Sequence, residues 1–461
     1  MQSARDKDIA RAREEFGVHY DSLGFVSEAR ARQAEEQRRQ LLGELGRAGI
    51  GVAGNGAKLY TNRLSPGCRT CGQGTWSCLF INGICNGRCF YCPTPQDAEG
   101  VPSTNTLTFR QPDDYLDYLA TFGFTGASIS GGEPLLTFDR TLAYLRAVKQ
   151  RFGDAIHLWM YTNGLLLTQE KLGRLKAAGL DELRFDISAD GYNLEKVGMA
   201  VGVIDTVTVE IPAIPEDFAR LQTVVVELDR LGVGFLNLHQ LRCTPHNRVK
   251  LVGRPYTYLH GPRVAVLESE LAVLQLLAFV LAQGLRLGIN YCSYIYKHRY
   301  QAAGSRRRSA EVLCKPYETI TDAGLIRCLA VRGAGDDLER LARQLTAEGI
   351  AAATWEWNKG KQCLFLASAP AAGFDWRDLQ PVVSYQAAAL RENVSYRNVF
   401  RQVTLPGGKK LFAERWPVSA EIPLTPEQAV ALWPPSPTTG GVVPSGVAAY
   451  EQIPEGLWPY F

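Results

Sequence analysis

Three cysteines carry the most specific chemistry in the chain. Cys85, Cys89 and Cys92 stand at C-x3-C-x2-C spacing in Cys85-Asn-Gly-Arg-Cys89-Phe-Tyr-Cys92. Three thiolates so spaced can hold three irons of a 4Fe–4S cubane, leaving the fourth iron without a protein ligand; electron-transfer ferredoxin sites use four cysteines. An open iron suits a molecule that chelates through an amino and a carboxylate group, as the methionine end of S-adenosylmethionine (SAM) does. An electron from the cluster would break the sulfonium bond and release a 5′-deoxyadenosyl radical, while the polypeptide binds, orients and excludes water. Gly87 allows the tight path of the loop, and Tyr91 is expected against the adenine face.

Further polar groups recur at intervals. Ser130-Gly131-Gly132-Glu133-Pro134 begins shortly after the cysteines, with Gly131 39 residues beyond Cys92. Its glycines would bring backbone N–H and C=O groups close to the methionine moiety. Thr162, Asn163 and Ser188 are candidates to hydrogen-bond the ribose or the methionine carboxylate. Glu210 and Asp186 could orient a basic group such as a guanidinium. His239-Gln240-Leu241-Arg242 is expected to point toward the same site, and Arg306–Arg308 reads as a solvated basic turn or a contact for acidic peptide. Upstream, Cys68, Cys71 and Cys78 have metal-site spacing suited to zinc or iron, with Cys292 or Cys314 as a fourth thiolate.

These residues need a scaffold that gathers them. Buried strands are predicted at Cys78–Ile84, Gly126–Ser130, Ile156–Tyr161, Glu182–Ser188, Thr206–Ile211 and Gly234–His239, with a further short strand near Leu285–Asn290 after a long helix. Helices are predicted between them at Asp113–Phe122, Asp139–Phe152, Gln169–Ala178, Asn193–Val201 and Phe218–Leu231. Thr168 reads as an N-cap and Gly179 as a helix stop. Strands alternating with helices imply an α/β fold with a parallel sheet, here a partial (β/α)6 TIM-like barrel, whose functional residues collect at the strand C-termini. The Cys85, Gly131, Thr162, Ser188 and His239 motifs each lie at the end of a predicted strand. An N-terminal helical arm (1–50), with Arg30–Arg39 on a solvated face, precedes a Cys-rich metal loop and first strand (51–84). The barrel (85–315) is followed by a small C-terminal α+β domain (316–461). There, strands are expected at Gly324–Val331, Ile350–Trp357 and Gln362–Ala367, a helix at Asp336–Glu348, a capped helix start at Thr425, and a wrapping or mobile tail after Trp433.

The cysteine motif with Tyr91, the Gly131-Gly132-Glu133-Pro134 turn and the strand rhythm resemble the radical SAM superfamily over roughly residues 78–300. A narrower resemblance is to the methanogenesis-marker radical SAM methylases that C-methylate an arginine of methyl-coenzyme M reductase. It rests on the Cys68/Cys71/Cys78 loop, Cys92-Pro-Thr-Pro-Gln96, the Tyr296–Gln301 segment and the small C-terminal domain. The resemblance implies a cobalamin-dependent methyltransferase acting on an unactivated sp3 carbon, with cobalamin in the C-terminal domain and a mononuclear iron in the upstream loop. It also implies a protein or peptide substrate and a reductant such as ferredoxin or flavodoxin. A cobalamin-independent peptide maturase, a glycyl-radical activase and a non-catalytic iron–sulfur protein are the alternatives.

Composition narrows the rest. The chain has 461 residues, 46% hydrophobic and 21% charged, which suits two or three globular domains. A net charge of only +3 argues against nucleic acid as partner. The longest apolar run, near Leu271–Ala282, falls short of the roughly 20 residues a membrane helix needs. Met1–Glu15 is charged and lacks a signal core, so a cytoplasmic location is expected, where clustered thiols bind metals rather than form disulfides.

Overall fold

The computed structural model describes residues 4–367, 375–433 and 443–461. The chain forms two compact units, Met1–Gln301 with Glu455–Phe461, and Ala302–Pro454. The second unit begins at Ala302, ahead of the compositional change at Pro316, and the chain's last residues return to the first unit.

In the first unit, helices α1 (Ala4–Phe16) and α2 (Glu28–Arg47) precede a hairpin of β1 (Gly51–Ala53) and β2 (Lys58–Tyr60). A short helix, α3 (Pro66–Gly72), leads into β3 (Trp76–Phe80). Then follow α4 (Pro112–Thr121), β4 (Gly126–Ser130), α5 (Phe138–Phe152), β5 (His157–Thr162), α6 (Gln169–Ala177) and β6 (Glu182–Phe185). The unit continues through α7 (Glu195–Ala200), β7 (Thr206–Pro212), α8 (Phe218–Leu231), β8 (Phe235–His239), α9 (Leu267–Ala282) and β9 (Gly288–Cys292). Strands β3 to β9 are parallel and pair in chain order, as the strand–helix rhythm predicts. The short strand expected near Leu285–Asn290 forms as β9 and joins the six expected barrel strands as a seventh, against which β2 runs antiparallel. This is the expected partial barrel. The Cys-rich segment is therefore not a loop: it contributes a hairpin, a helix and the first barrel strand.

Local signals hold where the sequence carries them. The Thr168 hydroxyl accepts from Lys171 N at 3.2 Å and caps α6. Gly179, just past its end, has φ +85°. The N-terminal helices are more than a solvated arm. Ala31, Ala34 and Arg38 form an i, i+3, i+7 stripe on α2 that is buried. The Arg38 guanidinium lies 3.1 Å from Glu270 of α9, itself buried. Glu270 also accepts from Tyr291 Oη at 2.7 Å and Tyr460 Oη at 2.6 Å. The expectation that Arg30–Arg39 is solvated fails at Arg38, because small residues on the stripe admit a close neighbour whose carboxylate neutralises the charge. No helix of the described residues is long and apolar enough to cross a membrane.

The second unit opens with α10 (Ala302–Leu313), which contains Arg306–Arg308. Arg306 and Arg307 donate to the carbonyls of Ala323 and Thr321, so the run is a helix segment rather than a turn. After it come β10 (Ile326–Gly333), α11 (Gly335–Ala347), β11 (Trp355–Asn358), β12 (Cys363–Leu366), β13 (Leu379–Arg391), β14 (Val399–Thr404), β15 (Lys410–Pro417) and α12 (Pro426–Leu432). The sheet order is β11-β12-β10-β13-β15-β14, all antiparallel. Leu338, Leu341, Ala342 and Leu345 of α11 pack on Val331, Tyr385 and Trp433. Thr425 and Gln428 form the reciprocal cap expected of that sequence. Strands β13, β14 and β15 have no counterpart among the predicted elements. Of the tail expected to wrap or move, residues 434–442 lie outside the described residues.

Candidate active site

A cleft of about 340 Å³ opens at the C-terminal ends of the parallel strands. Cys85, Cys89, Tyr91, Cys92, Ser130, Gly131, Gly132, Thr162 and Asn163 all line it. A Cβ placed on Gly87 would sit 3.5 Å from Cys85 Sγ and 3.6 Å from Cys89 Sγ, so the two sulfurs flank one point of the loop. Gly87 N donates to Cys85 Sγ at 3.2 Å, and Asn163 Nδ2 approaches the same sulfur at 3.7 Å. Burial raises the Cys89 thiol to about 11, so iron binding there must displace protons. Three thiols around a side-chain-free turn fit a cubane, and Cys85, Cys89 and Cys92 would hold it.

The Gly131–Glu133 strap is fixed to the strand that delivers Cys85. Gly132 N donates to Asn82 O at 3.1 Å and Glu133 N to Ile84 O at 2.7 Å. Gly131 has φ +143°, which favours glycine. Glu133, expected to touch cofactor, is wholly buried and off the cleft wall. Its carboxylate accepts from Leu135 N at 2.9 Å, Thr162 Oγ1 at 2.8 Å and Asn163 N at 2.7 Å. It ties the strap after β4 to the turn after β5. Ser188 is likewise absent from the wall and bonds the Tyr91 hydroxyl at 2.6 Å. Tyr91 Oη also donates to Asp186 Oδ2 at 2.9 Å, fixing the ring behind the cluster loop.

Sequence reasoning missed the charges that fill the barrel lumen. Glu182 and Arg184, two apart on β6, both point inward. Arg184 Nε lies 2.9 Å from Glu182 Oε1, and Arg184 Nη1 lies 2.6 Å from Glu210 Oε2. The guanidinium that Glu210 orients is thus the chain's own. Glu210 Oε1 is 2.5 Å from His239 Nε2, and Lys297 Nζ is 2.7 Å from His239 Nδ1. A protonated Lys297 donates to Nδ1, leaving Nε2 to donate to Glu210. His239, Arg242, Tyr294 and Lys297 all reach the cleft wall. The period-two spacing of Glu182 and Arg184 was the available signal.

Arg184 also fixes a pH dependence. Burial pushes the Glu182 carboxyl up, but the Arg184 charge, with His157 and the Thr208 hydrogen bond, holds it down to about 2, from an ordinary 4.5. A folded value below the unfolded one means stability is full above about pH 4.5 and declines as pH falls toward 2. Arg184→Met is expected to take from Glu182 and Glu210 the buried guanidinium they share, costing about 3–5 kcal/mol in denaturant unfolding at pH 7.

The upstream cysteines divide. Cys68 Sγ lies 3.3 Å from Asn237 Oδ1, and Cys71 Sγ accepts from Gln301 Nε2 at 2.6 Å. Cys71 also feels the charges of Lys58, Cys292 and Cys68. Cys78 instead sits among Ser128, Ser130 and Glu210. The arrangement groups Cys68 and Cys71 with Cys292 and gives no support to an ion shared by Cys68, Cys71 and Cys78. Cys314 belongs to the second unit, where it is influenced by Glu318 and Arg415. Residues 302–454 contain no histidine, so a His-ligated cobalamin does not fit that unit.

The family model for the radical SAM superfamily matches residues 79–207, which contain the three cysteines and the Gly131–Glu133 strap. A putative glycyl-radical enzyme activating enzyme from Methanocaldococcus jannaschii is 31% identical over 302 residues, covering 63% of this chain and 79% of that protein. A GTP 3′,8-cyclase from Synechococcus sp. is 35% identical over 127 residues, 27% of this chain and 34% of the cyclase. Among solved structures, the radical SAM methyltransferase TsrM from Kitasatospora setae, with cobalamin and a 4Fe–4S cluster bound, aligns at 18% identity and TM-score 0.29. The alignment covers 37% of this chain and 38% of that one. Streptococcus suis SuiB bound to SAM aligns at 12% identity and TM-score 0.38, covering 65% and 67%.

Proposed function

The chain belongs to the radical SAM superfamily, and from that premise we propose that it cleaves SAM reductively and takes a hydrogen atom from a polypeptide substrate. The observation that carries this is the convergence of Cys85, Cys89 and Cys92 with Gly131 and Gly132 on one cleft. When bound, the cluster supplies the electron and the open iron that SAM cleavage needs. The chain's own task is positional. Glu133 holds the Asn163 turn beside Cys85, and Tyr91, clamped by Asp186 and Ser188, backs the cluster loop. Lys297 and His239 line the cleft and reach a substrate group lying beyond the cofactor.

The finer reading is C-methylation of an unactivated carbon, on a protein or peptide arginine, supported by the resemblance of the Cys-rich segment and the Tyr296–Gln301 run. A second reading, glycyl-radical activation, is favoured by the 31% identical relative named for that activity. Anaerobic reconstitution with iron and sulfide, followed by SAM and a low-potential reductant, tests the common core. 5′-Deoxyadenosine is expected. Adding cobalamin and arginine peptides should yield S-adenosylhomocysteine and methylated peptide if the methyltransferase reading holds. A glycyl-radical doublet in a partner protein, without methylation, would select the activase. An intact cluster that forms no deoxyadenosine would overturn both.

A further inference from the structure

The second unit ends its sheet on an open strand. β14 is the last strand of the order, and among the described residues no strand pairs with its outer edge. Alternate N–H and C=O groups along Val399–Thr404 therefore face solvent, which is the template for adding another strand. Such edges in folded proteins are short, bulged or covered; this one runs six residues and is exposed almost throughout.

Two further features mark it. Tyr396 is 82% exposed and Val399 59%. Tyr396 stacks edge-on against Phe400 at 5.6 Å, and Phe400 against Phe412 of β15 at 6.0 Å, making an aromatic patch beside the edge. The acidic groups nearby are already engaged, Glu414 by Ser395 and Asn398, so the charge left over is basic. Arg397, Arg401 and Lys410 form no ion pair among the described residues, whereas nearby Lys409 and Arg415 pair with Glu392 and Glu318. Arg401 Nη1 is anchored at 2.7 Å on the carbonyl of Val312 in α10, which holds its guanidinium along the strand.

From these three features we infer that β14 docks an acidic, extended segment of a partner polypeptide by strand addition. The open backbone edge supplies main-chain pairing, the aromatic patch takes apolar side chains on one face, and Arg397, Arg401 and Lys410 select carboxylates. A second copy of this chain is a poor occupant, since two β14 edges would bring two sets of the same basic residues, Arg397, Arg401 and Lys410, to one junction. The inference concerns binding alone and stands or falls separately from the radical chemistry.

The test uses the full-length chain and three fluorescein-labelled probes: the acidic strand peptide Asp-Val-Glu-Val-Asp-Val-Glu-Val, its lysine counterpart, and the acidic peptide N-methylated at alternate residues. The acidic probe is expected to bind at least about tenfold more tightly than either other probe. Arg397→Glu combined with Arg401→Glu should remove that preference while the far-ultraviolet dichroism stays unchanged. On the unsubstituted chain, bound acidic probe should slow amide exchange at 399–404. Equal binding of the N-methylated probe, protection elsewhere, dimerisation through β14, or no binding would each overturn the proposal.

Discussion

Replacing Cys85, Cys89 or Cys92 singly by alanine is expected to abolish deoxyadenosine formation, a fall of about a thousandfold or more, equivalent to some 4 kcal/mol of barrier. Two thiolates cannot retain a cubane that needs three, and the neighbouring groups are poor substitutes. Asn163 Nδ2 and Asn86 Oδ1, which bond one another at 2.8 Å beside Cys85, are weak iron ligands. Iron and sulfide content after reconstitution should fall with the activity, and the visible absorbance should go with them. Cys363→Ala is the control. Cys363 is buried in an apolar cluster of the second unit with Ala330 and Val382, so its loss should cost about 1 kcal/mol of stability and no iron. Full activity in any of the three cluster variants would remove the basis of the proposed function.

The second large effect is expected at Gly132. A Cβ there would lie 1.9 Å from the carbonyl oxygen of Ile84 and 2.3 Å from its carbonyl carbon. Those atoms are backbone, and they precede Cys85 directly, so relief must move the cluster ligand or the strap. Gly132→Ala should therefore cost about 3 kcal/mol or more and break the Glu133 N to Ile84 O hydrogen bond. Iron retention and SAM affinity should both drop, each measured on the reconstituted protein. Glu133→Gln is the informative contrast. It keeps the shape and one acceptor but turns an amide against Asn163 N or Thr162, costing about 1–3 kcal/mol for a buried unmet donor. Its iron content should stay near normal while SAM affinity falls, because Glu133 positions the Asn163 turn and ligates no iron of the proposed cluster. Identical losses in both variants would mean that the strap serves stability alone.

Much of the molecule was legible before any coordinates. The cysteine triplet needs only its own spacing, because its ligands lie within one turn-rich segment. The barrel strands announce themselves as apolar runs at regular intervals, and Thr168 and Thr425 cap helices through hydrogen bonds to residues three along. These are local signals, written in adjacent residues. The parallel order of the strands then follows from their alternation with helices.

What the sequence left open depended on partners far along the chain. Glu133 also holds the turn after β5 through Thr162 and Asn163, a role its own motif does not reveal. Glu210 reads as a substrate anchor until Arg184 occupies it from the neighbouring strand. Arg38 reads as solvated until Glu270 and Tyr460 close over it. Cys71 groups with Cys292, more than two hundred residues away, and not with Cys78 seven residues on. The β13, β14 and β15 strands escaped notice because β13 pairs with β15 and not with the next strand in the chain, although the Pro406-Gly407-Gly408 turn between β14 and β15 was a local signal. A buried charge is tolerable only beside its counter-charge, and which strands bring the two together is a property of the sheet. The sequence by itself determined which chemistry the cleft can support; the tertiary structure decided which polar residues remain free to take part and which are spent holding the scaffold.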